Sequence, residues 1–145
     1  MSDLLEKMAG QFIAALPHAV RLGLVLDTVA PGRAVVSMPY DPMLIGDPAT
    51  RVIHGGAVSA LMDTAGGAAV MSHPGGGIGT ATLNLRIDYM RPATPGDTIT
   101  AVADVYHVTR TIAFVRAEAF DSDGDRPVAA ATGAFTVPQK TDGTQ

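Results

Sequence analysis

The sequence predicts an α+β domain in which one long apolar helix is enclosed by an antiparallel sheet. Three observations predict it. Between 55 and 71, Val58, Leu61, Met62, Ala65, Ala69 and Val70 recur at spacings of three and four, with Ala and Gly in most other places. A helix apolar nearly all round has to be buried. From 78 to 137 the pattern turns to four strands, roughly 78–90, 97–108, 111–121 and 127–137, punctuated by Pro95-Gly96, Thr109-Arg110 and the run from Ser122 to Asp125. Before the helix, the Leu/Val-rich segments 22–29 and 33–39 flank the turn Ala30-Pro31-Gly32 and read as a hairpin.

In chain order, Ser2 is placed to cap a first helix. Leu4, Leu5, Met8, Phe12, Ile13 and Leu16 give that helix one apolar stripe for packing on the domain, and Pro17 ends it. Its polar face has one Lys and no basic excess, unlike a membrane-surface helix. After the hairpin, 41–53 contains two Asp-Pro pairs and reads as a loop. In the central helix, Gly66-Gly67 costs about 1 kcal/mol per glycine, and small residues there permit another element to come close. Residues 74–77 are a Pro-Gly-rich loop, and 138–145 read as a frayed tail. The expectation is one domain, 1–137, with a flexible tail, 138–145.

Composition narrows the function. Hydrophobic residues make up 47 % and charged residues 17 %, enough apolar material for a core. The chain has no cysteine, which excludes a disulfide scaffold, a thiolate zinc site and a cysteine nucleophile. The net charge of −4, the lack of a Lys/Arg cluster and the 5 % aromatic content argue against a nucleic-acid partner. No 18-residue apolar stretch is present to span a membrane, and the N-terminus lacks the basic region of a signal peptide. A cytoplasmic protein is the expectation.

The informative block is His54-Gly55-Gly56, with Asp63 seven residues after Gly56. Glycines at a helix start leave backbone N–H groups free along the helix dipole, a site for an anion or a developing oxyanion. Asp63 lies two turns on, in an apolar helix, where a carboxylate loses water. On spacing alone, a structural, hydrogen-bonded Asp63 fits equally well.

The segment from Arg51 to Gly67, then 82–97, then the run from Arg110 to Glu118 resemble the phenylacetyl-CoA thioesterase branch of the hotdog-fold superfamily. The resemblance covers about 20–137. It implies a hotdog fold and cleavage of an acyl-CoA thioester, with CoA as part of the substrate and no separate cofactor. Carried residue by residue, it implies that the Gly55 amide polarises the thioester carbonyl. It makes Asp63 general base or nucleophile, and Thr82, seven residues before Tyr89, the support of the carboxylate or water. Gly56 would help to bind substrate, and Arg91 and Arg110 would bind CoA phosphates. His54 is a further catalytic candidate, although a helix-entry His bonded to nearby backbone is the simpler reading. Relatives often carry Asn or Gln where this chain has Pro48. Asp47 and Thr50 are the nearby substitutes.

Other patterns carry less. The four His are scattered, so no metal site is expected. Ser59 lacks the second Gly of a nucleophile elbow. The acidic run from Asp121 to Asp125 has its Gly and its last ligand misplaced for a calcium loop and reads as a hairpin turn. Gly75 to Gly79 precedes a strand, so it is no dinucleotide fingerprint. A hotdog hydratase or dehydratase, and a non-catalytic acyl-CoA-binding module, are the alternative functions. One helix separates Gly55 from Asp63 by about 12 Å along its axis. Both therefore serve one thioester only if two antiparallel helices share two sites. A homodimer with composite sites is expected, and a dimer of dimers is a further option.

Overall fold

The computed structural model describes residues 2–139. Helix α1 (Ser2–Ala14) and the short α2 (Pro17–Leu22) come first. Strands β1 (Val25–Ala30) and β2 (Arg33–Met38) follow, then a 3-10 turn at Pro42–Leu44, β3 (Ile45–Asp47) and β4 (Val52–Ile53). Helix α3 (Gly55–Ser72) precedes β5 (Thr82–Tyr89), β6 (Ile99–Val108), β7 (Ile112–Phe120) and β8 (Ala129–Thr136). The main sheet is antiparallel throughout, in the order β1-β2-β6-β7-β8-β5. No described helix is long and apolar enough to cross a membrane.

Several details differ from the expectation. Helix α1 begins at Ser2 itself. Pro17 does follow the end of α1, but it also opens α2, because a proline in the first turn gives up an N–H that no helical carbonyl would accept. Leu22 therefore belongs to α2, and β1 begins at Val25. The loop at 41–53 contains the two-stranded β3–β4 ribbon. Its turn is tied by the Asp47 carboxylate, which accepts from Ala49 N–H at 2.9 Å and Thr50 Oγ1 at 3.0 Å. Of the expected tail, Pro138 and Gln139 lie back on the domain. Gln139 donates to the Arg110 carbonyl at 3.2 Å, and 140–145 lie outside the described residues.

The sheet curls around α3, and its inner face is built largely from alanine: Ala34, Ala101, Ala103, Ala113, Ala117 and Ala119 are all buried. Side chains this short let the helix backbone come close to the strands. Val36, Met38, Ile99, Val115 and Phe135 fill the remaining space against Leu61, Met62 and Val70 of the helix. α1 packs on β1 and α3, with Ala9 and Ile13 buried and Leu5, Phe12 and Leu16 partly so; Leu4 stays exposed. The central helix is not covered all round. Gly56 is exposed and Ser59, Ala60, Asp63 and Thr64 are half-buried, one open stripe of small and polar residues. Gly66 and Gly67 face into the chain instead and are buried.

At Gly66 a Cβ would lie 2.7 Å from Phe135 Cζ, inside the van der Waals radius of a fully buried ring. Gly66→Ala gains helix propensity of about 1 kcal/mol, but overpacking of this kind costs about 1–3 kcal/mol. Urea denaturation is expected to show net destabilisation; an unchanged or raised midpoint would mean that the Phe135 ring has room to move.

Candidate functional site

The N-terminus of α3 is held from two sides. His54 is its N-cap, and its Nδ1 accepts the Gly56 N–H at 2.8 Å. An accepting Nδ1 places the neutral ring's proton on Nε2. From β5, the Tyr89 hydroxyl donates to the Gly55 carbonyl at 3.0 Å and lies 3.1 Å from Ser59 Oγ. The Gly55 N–H is the first amide of the helix and has no partner among the described residues. A helix start with one unpaired amide can donate to an oxygen that gains negative charge.

Gly56 serves the cap: its N–H is taken by His54, and a Cβ there would fall 2.9 Å from Nδ1 of the same ring. His54 accordingly occupies the structural place of the simpler reading. Tyr89 entered the sequence reading only as a landmark. Its role in fixing the Gly55 peptide is a contact between residues 34 apart that local pattern does not encode.

Asp63 and Thr82 are brought together: Thr82 Oγ1 donates to Asp63 Oδ1 at 2.6 Å. A β-bulge makes this contact possible. β5 pairs Leu85, Ile87 and Tyr89 with Gly133, Ala131 and Ala129 of β8, which sets odd-numbered residues on the inner face. Alternation alone would turn Thr82 outward. Between Thr82 and Asn84 the register shifts, so Thr82 pairs with the inward-facing Phe135. The extra residue, Leu83, re-aims Thr82 at the helix. The pair borders a concavity of about 280 Å³ whose apolar walls include Phe12, Leu16 and Phe135.

Of the two expected cationic residues, Arg91 borders a concavity of about 460 Å³ together with Gly55, Val58 and Tyr89. The Arg91 guanidinium is spent on Asp121, with Nη1 and Nη2 each 2.7 Å from a carboxylate oxygen and Nη2 also 2.8 Å from the Arg126 carbonyl. Arg91 Nε is buried without a partner, and the Asp121 side chain is fully buried. A phosphate at Arg91 would have to compete with a bidentate carboxylate. Arg110 is exposed at the β6–β7 turn and borders a concavity of about 420 Å³ beside the loop that follows α3. Asp47 and Thr50, beside Pro48, bond to each other in the exposed β3–β4 turn. Among the described residues no group of three or more His, Cys, Asp or Glu is placed to hold a metal ion.

Comparison with known proteins adds an independent line. Residues 51–128 match the family model described as thioesterase superfamily. The medium/long-chain acyl-CoA thioesterase YigI of Salmonella typhimurium is 26 % identical, over 90 % of this chain and 92 % of its own. The solved structure of PaaI from the Escherichia coli phenylacetic acid degradation operon superposes with a TM-score of 0.84 at 26 % identity, covering 94 % of this chain and 95 % of that one. A Pseudomonas aeruginosa protein of known structure gives 0.83 at 36 % identity, covering 92 % and 99 %. The architecture is the hotdog fold that the resemblance implied.

The buried ion pair has a signature in acid. Arg91 first, then the Thr94 and Asp123 N–H groups, hold the Asp121 carboxyl far below the ordinary carboxylate range, against the effect of burial. A depressed folded-state value stabilises fully above the unfolded value near 3.9, and that stabilisation is lost as pH falls toward the folded value. Asp121→Asn is expected to lower Tm at pH 7 by at least about 5 °C and to flatten the fall of stability between pH 4 and 2. Parallel acid curves for the two proteins would take the pair out of the acid response.

Proposed function

Because the chain belongs to the thioesterase superfamily, we propose that it hydrolyses acyl-CoA thioesters to the free acid and CoA, with Asp63 as the activating carboxylate and the Gly55 N–H as donor to the carbonyl oxygen. The observation that carries this reading is the Thr82–Asp63 hydrogen bond on the open stripe of α3, beside an apolar concavity. The names of YigI and PaaI, both acyl-CoA thioesterases, support the substrate class.

Two routes fit a carboxylate at this place. As general base, Asp63 takes a proton from water while the water oxygen attacks the thioester carbon. The carbonyl oxygen gains the electron pair, and collapse expels CoA as thiolate, which is then protonated. As nucleophile, Asp63 attacks the same carbon, releases the thiolate and leaves an anhydride that a second step hydrolyses. In both, Thr82 orients Oδ1 and leaves Oδ2 for chemistry. Neither route calls for a metal or redox cofactor, and CoA enters as part of the substrate. Arg110, exposed and cationic, is the side chain we assign to a CoA phosphate. A cytoplasmic location goes with this reading.

Gly55 and Asp63 lie on one continuous helix, about 12 Å apart along its axis. We therefore assign each thioester to a Gly55 and an Asp63 from different subunits of a two-fold dimer. The open stripe of α3 and the free edge of β5 support this assembly. Among the small residues of α3, Ala60 lies on that stripe, whereas Ala57, Gly66 and Gly67 are buried within the chain.

Since the chain has no cysteine, a thiol reagent reads released CoA without background. Asp63→Asn is expected to lower kcat at least 100-fold with the fold intact; retention of more than about a tenth of kcat by Asp63→Ala, a loss under ~1.4 kcal/mol, would remove Asp63 from the chemistry.

Complementation tests the shared site. His54 at φ −59° and ψ 133° has the backbone that precedes a proline comfortably, and Tyr89 need yield only a few tenths of an ångström to a Cβ at 55. Gly55→Pro thus removes the N–H with the helix start preserved. After subunit exchange with Asp63→Ala, activity is expected to return to about a quarter of wild type; folded, exchanged and inactive mixtures would sink the composite site.

A further inference from the structure

Gly67 follows Asp63 by one helical turn and borders the same concavity. The fold does not require a glycine there. Its φ is not positive. The nearest atoms that a Cβ would meet from other elements are Phe12 Cζ at 3.7 Å, Phe12 Cε1 at 3.9 Å and Thr80 Cγ2 at 3.9 Å, ordinary van der Waals contacts. The adjacent Gly66 is the opposite case, because the Phe135 ring already stands where its Cβ would go. A helix interior favours alanine over glycine, so Gly67 forgoes stability with no steric return within the chain. Departures from local preference of this kind mark sites where something else must fit.

We propose that Gly67 is kept bare to admit the distal, apolar part of a straight-chain acyl group of medium length, with Phe12 and Leu16 of α1 as the opposite wall. The inference rests on the hydrolase reading and adds the substrate class. Gly67 lies about 6 Å along the helix axis beyond Asp63. A side chain there meets a carbon several bonds beyond the reacting carbonyl, not the carbonyl itself. Its effect grows with acyl length and fades for the shortest groups. The walls supplied by Phe12, Leu16 and Phe135 offer apolar contact and no charge to an acyl terminus. At about 280 Å³ the concavity lies at the small end of ligand pockets, which fits a medium chain better than a very long one. α1 is then part of the specificity apparatus and not only a cover for β1.

The test measures kcat/KM for acetyl-, butyryl-, octanoyl- and dodecanoyl-CoA, and Kd for non-hydrolysable S-alkyl-CoA thioethers of the same lengths. In the wild type, affinity for the thioethers is expected to rise from the two- to the eight-carbon chain. Gly67→Val is expected to cut the octanoyl-to-acetyl ratio of kcat/KM at least tenfold and to abolish the rise in thioether affinity. Gly67→Ala lies between and should melt at a higher temperature than wild type. Gly10→Ala is the control: it gains the same helix preference in α1, where a Cβ meets nothing within 4 Å, and should leave the ratio unchanged. An unaltered ratio in folded Gly67→Val overturns the pocket, as does thioether affinity that ignores chain length while hydrolysis proceeds; the hydrolase reading survives either result. Length-dependent thioether binding that Gly67→Val removes, in a protein that cleaves no acyl-CoA, leaves the pocket standing and overturns the hydrolase reading.

Discussion

The structure depends on how close α3 can come to the sheet. Interior density is that of an organic crystal, so the distance between a helix and the strands around it is set by the side chains between them. Here the strands supply buried alanines, Ala34 on β2, Ala101 and Ala103 on β6 and Ala113, Ala117 and Ala119 on β7, and the helix supplies Gly66 where Phe135 rises from β8. The curl of the sheet, the burial of most of α3 and the position of its one open stripe all follow from this small separation. Larger residues at the same places would push the helix outward and carry Asp63 away from β5.

The candidate site is a by-product of that seating, refined by a few polar contacts. The imidazole of His54 and the phenol of Tyr89 each fasten a different group at the helix start, the Gly56 N–H and the Gly55 carbonyl. What is left over is a single amide, that of Gly55. At mid-helix, a one-residue irregularity in β5 turns Thr82 inward to the carboxylate. Both ends of the arrangement are therefore controlled by one edge strand, with Tyr89 at its end and Thr82 at its beginning.

Much of this is legible in the sequence and some is not, for identifiable reasons. The central helix announces itself because a run apolar on every side has no other stable place than the interior, and its ends agree with the structure to within one residue. The strands after it are legible for the same reason, with their starts read a few residues early at 78 and 97. The β3–β4 ribbon is hidden by two Asp-Pro pairs that look like loop; Asp41-Pro42 opens the 3-10 turn before β3, and Asp47-Pro48 opens the turn that the Asp47 side chain ties. The Asp63–Thr82 partnership came from a resemblance; strict alternation from Tyr89 argues against it, and only the bulge reconciles the two. Arg91 illustrates a contact that local pattern does not encode. The resemblance implies a phosphate for its guanidinium, which in the structure is bonded to Asp121, 30 residues away, and pairing at that distance is settled by tertiary structure.

The Arg91–Asp121 pair also decides where the chain is open to cutting. Asp121 accepts from Thr94 and Asp123, and Asp97 accepts from Ser122, so the connections β5–β6 and β7–β8 are laced into one block. Among the described residues, the connection from α3 to β5 makes no ion pair. Its hydrogen bonds gather at the two ends, where Gly75 and Gly76 donate to His73 and where Thr80 and Ala81 bond to Thr136, with exposed Ile78 and Gly79 between. A protease needs a stretch of backbone that it can draw out into an extended form, and this is the connection that yields one. A nick there would break the covalent path between Asp63 and Thr82 and leave the two fragments joined through packing and hydrogen bonds alone, a split protein whose halves meet at the carboxylate.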